Sequence, residues 1–324
     1  MKRIAIICCY FGQFPNHMAL TLKTMGANPT LDWLIFSDQA PPVNLPSNIR
    51  FFPDQLQNLA QRIEKVSGTK VSITRPYDLC IFRPCYGQVF AEYLRSYDFW
   101  GHCDLDVLWG DLRSFISEEV LEKYDRVLIR GHLSLYRNTP HINAAYKLPI
   151  PGGLDFHTAF ASPSSSQFDE WKGINLIFRY HNLKQFHANW IADILPPSRF
   201  AVPAFRTVSQ PNFPDQIFYW YQGKVYRAFL YEGGVWDEEF AYIHFQKRKF
   251  PPPPSGLLDL DSFGIGPCGF FQYQREPLHV DAFRALNRGF PKPLHEILQI
   301  VSKGIRRRLG LEKTSKAYGD KRSF

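Results

Sequence analysis

The 324-residue chain is bounded first by what it lacks. No apolar run approaches the roughly 18–20 residues that a membrane-spanning helix needs, so an integral membrane protein is not expected. None of the six cysteines (Cys8, Cys9, Cys80, Cys85, Cys103, Cys268) belongs to a Cys-x-x-Cys, and no Cys/His spacing matches a zinc site. Several lie in apolar, strand-like runs where a thiol behaves as a small hydrophobe, and a reducing cytosol fits that usage. No small-residue cleavage site follows the short apolar run after Met1-Lys2-Arg3, so Ile4 to Cys9 is expected to be a buried first strand, not a leader. No internal repeat is present. Charged residues make up 21% and hydrophobic residues 45%, an ordinary balance for a globular chain. The length suits one large α/β unit or about two domains, with a core that needs no disulfide or structural metal. Aromatic residues are plentiful at 16%, with 28 Phe and 16 Tyr. Most belong in a core, and the remainder suit sugar or base stacking.

Charge is unevenly distributed. The net charge is +8, but Ser302 to Phe324 carries +6 and the preceding 301 residues only +2. Before that tail, Leu294, Ile297, Leu298, Val301 and Ile305 fall at helical spacing, followed by Arg306, Arg307 and Arg308. Residues 294–324 read either as an amphipathic helix and basic tail on an anionic membrane surface, or as a helix packed on the body with a solvated tail. Nucleic acid is not an expected partner, because the body is nearly neutral and no recognition motif accompanies the basic run.

Strand and helix patterns alternate over the first 130 residues. Strands are expected at Arg3–Cys9, Leu31–Phe36, Ile49–Phe52, Tyr97–Asp106 and Arg126–Arg130. Helices are expected at Asn16–Ala27, from Pro53-Asp54 to Ser67-Gly68, at Tyr86–Leu94 and from Ser117. Such alternation predicts an α/β fold with a mainly parallel sheet, whose ligands bind at the carboxyl ends of the strands. The second half is less regular and rich in Pro, Gly and aromatics, with an extended spacer at Pro251–Pro254.

The run Phe99-Trp100-Gly101-His102-Cys103-Asp104-Leu105-Asp106 carries the clearest chemistry. An apolar strand runs into Asp-x-Asp. Residues i and i+2 of a strand share a face, so Asp104 and Asp106 present two carboxylates together while Leu105 points into the core. Paired carboxylates suit Mg²⁺ or Mn²⁺. A divalent ion neutralises the charge that develops on a diphosphate leaving group. The structural alternative is a strand end followed by a capped turn.

This stretch, continued to Gly110-Asp111, resembles the metal-binding core of GT-A type glycosyltransferases. More narrowly, the chain resembles a bacterial family of uncharacterised, predicted polysaccharide glycosyltransferases. The shared blocks are Ile4 to Gly12, Asp32 to Asp38, Arg83-Pro84-x-Tyr86-Gly87, Gly131 to Asn138 and Phe168-Asp169-Glu170-Trp171-x-Gly173. The resemblance covers most of residues 1–250. It implies a GT-A-like, mostly parallel mixed sheet flanked by helices, with an irregular C-terminal half. The nucleotide-binding part would span about residues 1–130 and the acceptor part about 131–250, with a Pro/Gly/aromatic-rich extension at 251–293. It further implies a nucleotide-sugar donor and Mn²⁺ or Mg²⁺.

Residue roles follow from the same resemblance. Tyr10, Phe11 and Gly12 would hold base and ribose, Asp38 would bind either, and Arg83 would approach the donor. Asp104 and Asp106 would bind the metal, with Asp104 also facing the donor. His244 is a third metal ligand on this reading and a core histidine on the alternative. Lys247 would neutralise the diphosphate, with Lys249 a second choice. Asp169 and Glu170 are candidate bases, since an inverting transfer needs a carboxylate to take the acceptor proton. A helix N-terminus would explain them equally. Trp171 could stack on an acceptor sugar, Asp155 is a reserve base, and His132 and Arg137 line the acceptor cleft or the core. The expected function is transfer of a sugar to a glycan or glycolipid acceptor of capsule, O-antigen or lipooligosaccharide type, in the cytoplasm or docked on the inner membrane face. The alternatives are a haloacid-dehalogenase-like phosphatase, which also uses Asp-x-Asp after an apolar strand, and a non-catalytic membrane-associated scaffold.

Overall fold

A computed structural model describes residues 1–162, 167–196, 205–246, 248–275 and 279–288. Lys247 and the segment 294–324 lie outside them. In chain order the strands are β1 (Ile4–Cys9), β2 (Leu31–Ser37), β3 (Ile49–Pro53), β4 (Phe99–Cys103), β5 (Val107–Trp109), β6 (Arg126–Arg130), β7 (Leu133–Arg137), β8 (Gln185–Phe186) and β9 (Ile191–Asp193). There follow β10 (Gln216–Tyr221), β11 (Lys224–Tyr231), β12 (Gly234–Phe240), β13 (Tyr242–His244), β14 (Ser262–Gly266) and β15 (Gly269–Gln272).

The main sheet has seven strands in the order β3-β2-β1-β4-β7-β6-β8. β1 pairs in parallel with both β2 and β4, and β3 continues the parallel set. β7 runs antiparallel to both its neighbours. The α/β, mostly parallel architecture expected from the alternation is therefore present. β1 is fully apolar and buried from Ile4 to Cys8 because helices cover both faces of a sheet of this kind. One face packs Leu34, Phe36, Phe82, Phe90 and Trp100, and the other Trp33, Ile35, Phe99 and Trp109. The chain runs from β1 outward to β3 and then crosses back to β4. The gap between β1 and β4 is thus a topological switch point, the place where such sheets open a crevice.

Two departures from the expected elements matter. The strand expected over Tyr97–Asp106 ends at Cys103; Asp104, Leu105 and Asp106 form a bend before β5. The less regular second half contains a five-stranded antiparallel sheet, β12-β11-β10-β14-β15. Its two tight turns place Gln222-Gly223 and Glu232-Gly233 in the left-handed region, as two-residue hairpins require. Because β14 pairs with β10, this sheet draws strands from both sides of position 250.

β6 carries a bulge. Its register against β7 shifts between Val127 and Arg130, and the buried Leu128 takes φ 65°. Among the described residues no helix is long and apolar enough to cross a membrane.

Candidate functional site

A cleft of about 1110 Å³ opens at the carboxyl ends of β1 and β4. Its floor is the bend after β4. Leu105 is buried, as expected of the central residue, while Asp104 and Asp106 remain partly exposed. The third member arrives through a small three-stranded sheet, β5-β13-β9. β13 pairs antiparallel with β5 so that His244 sits opposite Val107, the residue after Asp106. The Phe245 N–H donates to the Asp106 carbonyl at 2.8 Å. On its other side β13 pairs in parallel with β9, which sets His244 opposite Asp193. One ligand atom each from Asp104, Asp106 and His244 then lies within 4.8 Å of the others.

Hydrogen bonds fix the imidazole. His244 Nδ1 lies 2.9 Å from Asp193 Oδ1, which also accepts from Gln246 Nε2 at 2.7 Å. His244 Nε2 faces Asp106 Oδ1 at 3.5 Å. Burial opposes charge on this ring, but the two carboxylates outweigh it and raise its pKa to about 10. A carboxylate on the distal nitrogen orients a ring for ligation through the other. His132 stacks on His244 at 4.3 Å between centroids and shares a hydrogen bond with the Tyr242 hydroxyl at 2.7 Å. Burial and the neighbouring His244 hold His132 well below its ordinary pKa, hence neutral.

Arg83 enters from the 3-10 helix Pro76–Cys85 and anchors the opposite wall. Its guanidinium pairs with Asp104, donates to the Gly131 carbonyl at 2.8 Å and approaches Asp169 at 3.8 Å. Burial works against this cation, but Asp104 and its other neighbours hold its pKa well above the usual value. Asp169 and Glu170 lie in the turn before the helix Ile174–Tyr180, not in its first turn. Burial pushes Asp169 up to about 7 against the pull of Arg83. Glu170 instead accepts the Gly131 N–H. A Cβ at Gly131 would stand 3.1 Å from Arg83 Nη1, 3.1 Å from Glu170 Oε1 and 3.2 Å from Asp169 Oδ2, so glycine lets these three groups converge.

A profile described as "Family of unknown function (DUF6625)" matches residues 6–274, a span that takes in all the cleft residues above. The chain belongs to this family. Among curated proteins none matches the sequence. Similar solved structures include apo mouse xyloside xylosyltransferase 1, 10% identical over 59% of this chain and 87% of that one, with a TM-score of 0.37. Galactosyltransferase LgtC with donor and acceptor sugar analogues is 12% identical over 89% and 96%, with a TM-score of 0.34. An active-site mutant of LgtC has the same identity and coverage, with a TM-score of 0.38.

In this DUF6625 chain the cleft unites Tyr10, Phe11, Arg83, Asp104, Asp106, Asp169, Glu170 and His244. Gly12 and Asp38 are not among the residues that line it. Gly12 turns at φ 96° and its N–H donates to Asp38 at 2.8 Å, so this carboxylate shapes the loop after β1. Its hydrogen bonds from Gln39 and Gly12 hold its pKa below the ordinary value. Arg137 also faces elsewhere: its guanidinium takes the carbonyls of Leu121, Glu122 and Tyr124 at the end of the helix Glu118–Lys123. Asp155 caps the helix Phe156–Ala161 through the Thr158 N–H at 3.0 Å. Lys249 lines the cleft beside Arg248, whereas Lys247 lies outside the described residues. Sequence reasoning missed Asp193, Gln246 and Arg130. Gln246 could have been found from its i+2 spacing to His244, but Asp193 has no local signal.

Proposed function

We propose that this protein is a metal-dependent glycosyltransferase, moving a sugar from a nucleotide-sugar donor to a glycan or glycolipid acceptor of surface-polysaccharide type. The observation that carries this reading is the convergence of Asp104, Asp106 and His244 at the switch point of a mainly parallel sheet. Two carboxylates and one oriented imidazole are a donor set that fits Mn²⁺ or Mg²⁺. When bound, the ion supplies neutralisation of the charge that develops on the diphosphate.

The remaining chemistry belongs to the chain. Tyr10 and Phe11 end β1, where base and ribose would rest. Arg83 holds Asp104 and faces the donor sugar. Arg248 and Lys249 line the cleft after β13 and supply positive charge for the diphosphate, with Lys247 adjoining them. Asp169 takes the proton of the acceptor hydroxyl as that oxygen bonds to the anomeric carbon. The bond from that carbon to the diphosphate breaks with its electron pair leaving on phosphate oxygen. A carboxylate with a pKa near neutrality suits this task, because it is available as a base yet still able to hold the proton. Glu170, tied to Gly131, keeps the turn in place.

The test is a titration of UDP, GDP, CMP and their sugar derivatives into the purified protein with and without Mn²⁺. A variant carrying both D104A and D106A is run alongside. Metal-dependent binding of one nucleotide, lost in the variant, supports the proposal. A folded wild-type protein that binds none of them overturns it.

A further inference from the structure

We infer that Arg130, held against the Trp171 ring, forms a subsite for a carboxylate-bearing sugar on the acceptor side of the cleft. The inference rests on the glycosyltransferase reading and deepens it by naming an acceptor class.

The β6 bulge is the starting observation. Leu128 is a bulky, fully buried residue held at φ 65°, a conformation unfavourable for any L side chain with a Cβ. Strain of this kind persists only where the surrounding structure enforces it, and bulges beside sites re-aim side chains. Here the shifted register turns the end of β6 toward the cleft. Arg130 lines both the main cleft and a small recess beside His187, Asn189 and Ser209.

The second observation is the state of that guanidinium. It lies over the Trp171 ring at 5.0 Å from the centroid. Among the described residues it donates no hydrogen bond and forms no ion pair. The cleft carboxylates are engaged elsewhere: Asp104 and Asp169 with Arg83, Asp106 and Asp193 with His244, and Glu170 with the Gly131 N–H. Arg130 is thus a fixed cation beside an open cavity. Trp171 does not itself line the cleft; its ring backs the guanidinium.

A guanidinium fork matches a planar carboxylate through two parallel hydrogen bonds. The Trp171 face is taken up by this guanidinium and holds it in place. A uronic-acid sugar presents a carboxylate of the required kind. Its place also fits an acceptor: across the sheet, β1 with Tyr10 lies on one side of Asp104, while β7 and β6 with Arg130 lie on the other.

The test compares matched trisaccharides ending in glucuronic acid or in glucose, titrated into the full chain with Mg²⁺ present. The wild type should bind the glucuronic-terminated sugar about tenfold more tightly, and the margin should shrink with added salt. R130Q should erase the preference, and W171A, which removes the ring behind the guanidinium, should narrow it. Equal affinities in the wild type, a preference that survives R130Q, or no binding of either sugar would overturn the inference. If R130Q fails to fold, R130K and W171A decide: an unchanged preference in both overturns it. Nucleotide titration of the wild type separates the two readings. An Arg130-dependent preference without nucleotide binding keeps the subsite and removes the transferase. Nucleotide binding without any preference does the reverse.

Discussion

Arg83 in the cleft and Arg227 in the five-stranded sheet are both buried arginines, yet their surroundings differ in kind. Arg227 donates to the Pro211 carbonyl at 2.7 Å, pairs with Glu238, and lies within 5.5 Å of the ring centroids of Phe213, Phe229 and Phe240. Its partners have no second task. Arg83 is divided between Asp104, Asp169 and the Gly131 carbonyl, and both carboxylates face open space. A cation enclosed by rings specifies packing. A cation shared between carboxylates at a cavity can re-pair when a ligand arrives. The cleft also collects a buried carboxyl raised to about 7 and a neutral buried histidine, and the left-handed Leu128 lies two residues before its Arg130. Perturbed carboxyl and imidazole groups gather where chemistry is done, whereas Arg227 is held by rings and two polar partners although its Nε has none.

The contrast can be broken or sharpened by experiment. The largest effect is expected from replacing Asp104 and Asp106 together by alanine. Sugar transfer should fall by about 10³-fold or more. The thermal midpoint should hold, since Arg83 keeps Asp169 and His244 keeps Asp193. A large drop in the midpoint would place the cleft carboxylates with the structural networks instead.

D169N should lower transfer by about 10²-fold. It should also change how stability depends on pH. The unfolded carboxyl ionises near its ordinary 3.8, the folded one near 7. Between those values the native state holds a proton that the unfolded state has lost, so wild-type stability falls as pH rises through the window. The asparagine variant should lose that slope and gain on the wild type at pH 8, measured by urea denaturation across the range.

In the five-stranded sheet the signs reverse. R227A should cost about 3 kcal/mol of stability by urea denaturation, because a cavity opens among the phenylalanines. Transfer at 25 °C should be unchanged. G223A is expected to have the smallest effect, about 1 kcal/mol. A Cβ there has room, with Ala27 at 3.7 Å, but φ 86° disfavours it.

The parallel half of the fold was legible because its strands are continuous apolar runs bounded by Asp, Asn, Gly or Pro. Asp104 and Asp106 were legible as a pair, although they stand on a bend and not within a strand. The antiparallel sheet was not. Phe218-Tyr219-Trp220-Tyr221 is aromatic on both faces, so the period-two alternation that marks a strand is absent. Asp193 lay beyond local reading altogether. Its strand has three residues, and its meaning comes from pairing with a segment some fifty residues later, a tertiary contact that no local propensity encodes. Arg137, for which a core role stood open beside the cleft, and Asp155, a reserve base, are both engaged at helix ends.

The register of β13 has a consequence in time. His244 reaches the bend after β4 only when its strand pairs with β5 on one side and β9 on the other, and a slip of one residue would turn its ring to the opposite face. A growing chain therefore has its two carboxylates long before it has the imidazole that completes them. Until the ribosome has released residues well past 244, the nascent chain carries an unfinished centre. Completion of the centre waits on this pairing, so premature termination before β13 yields a chain without the triad.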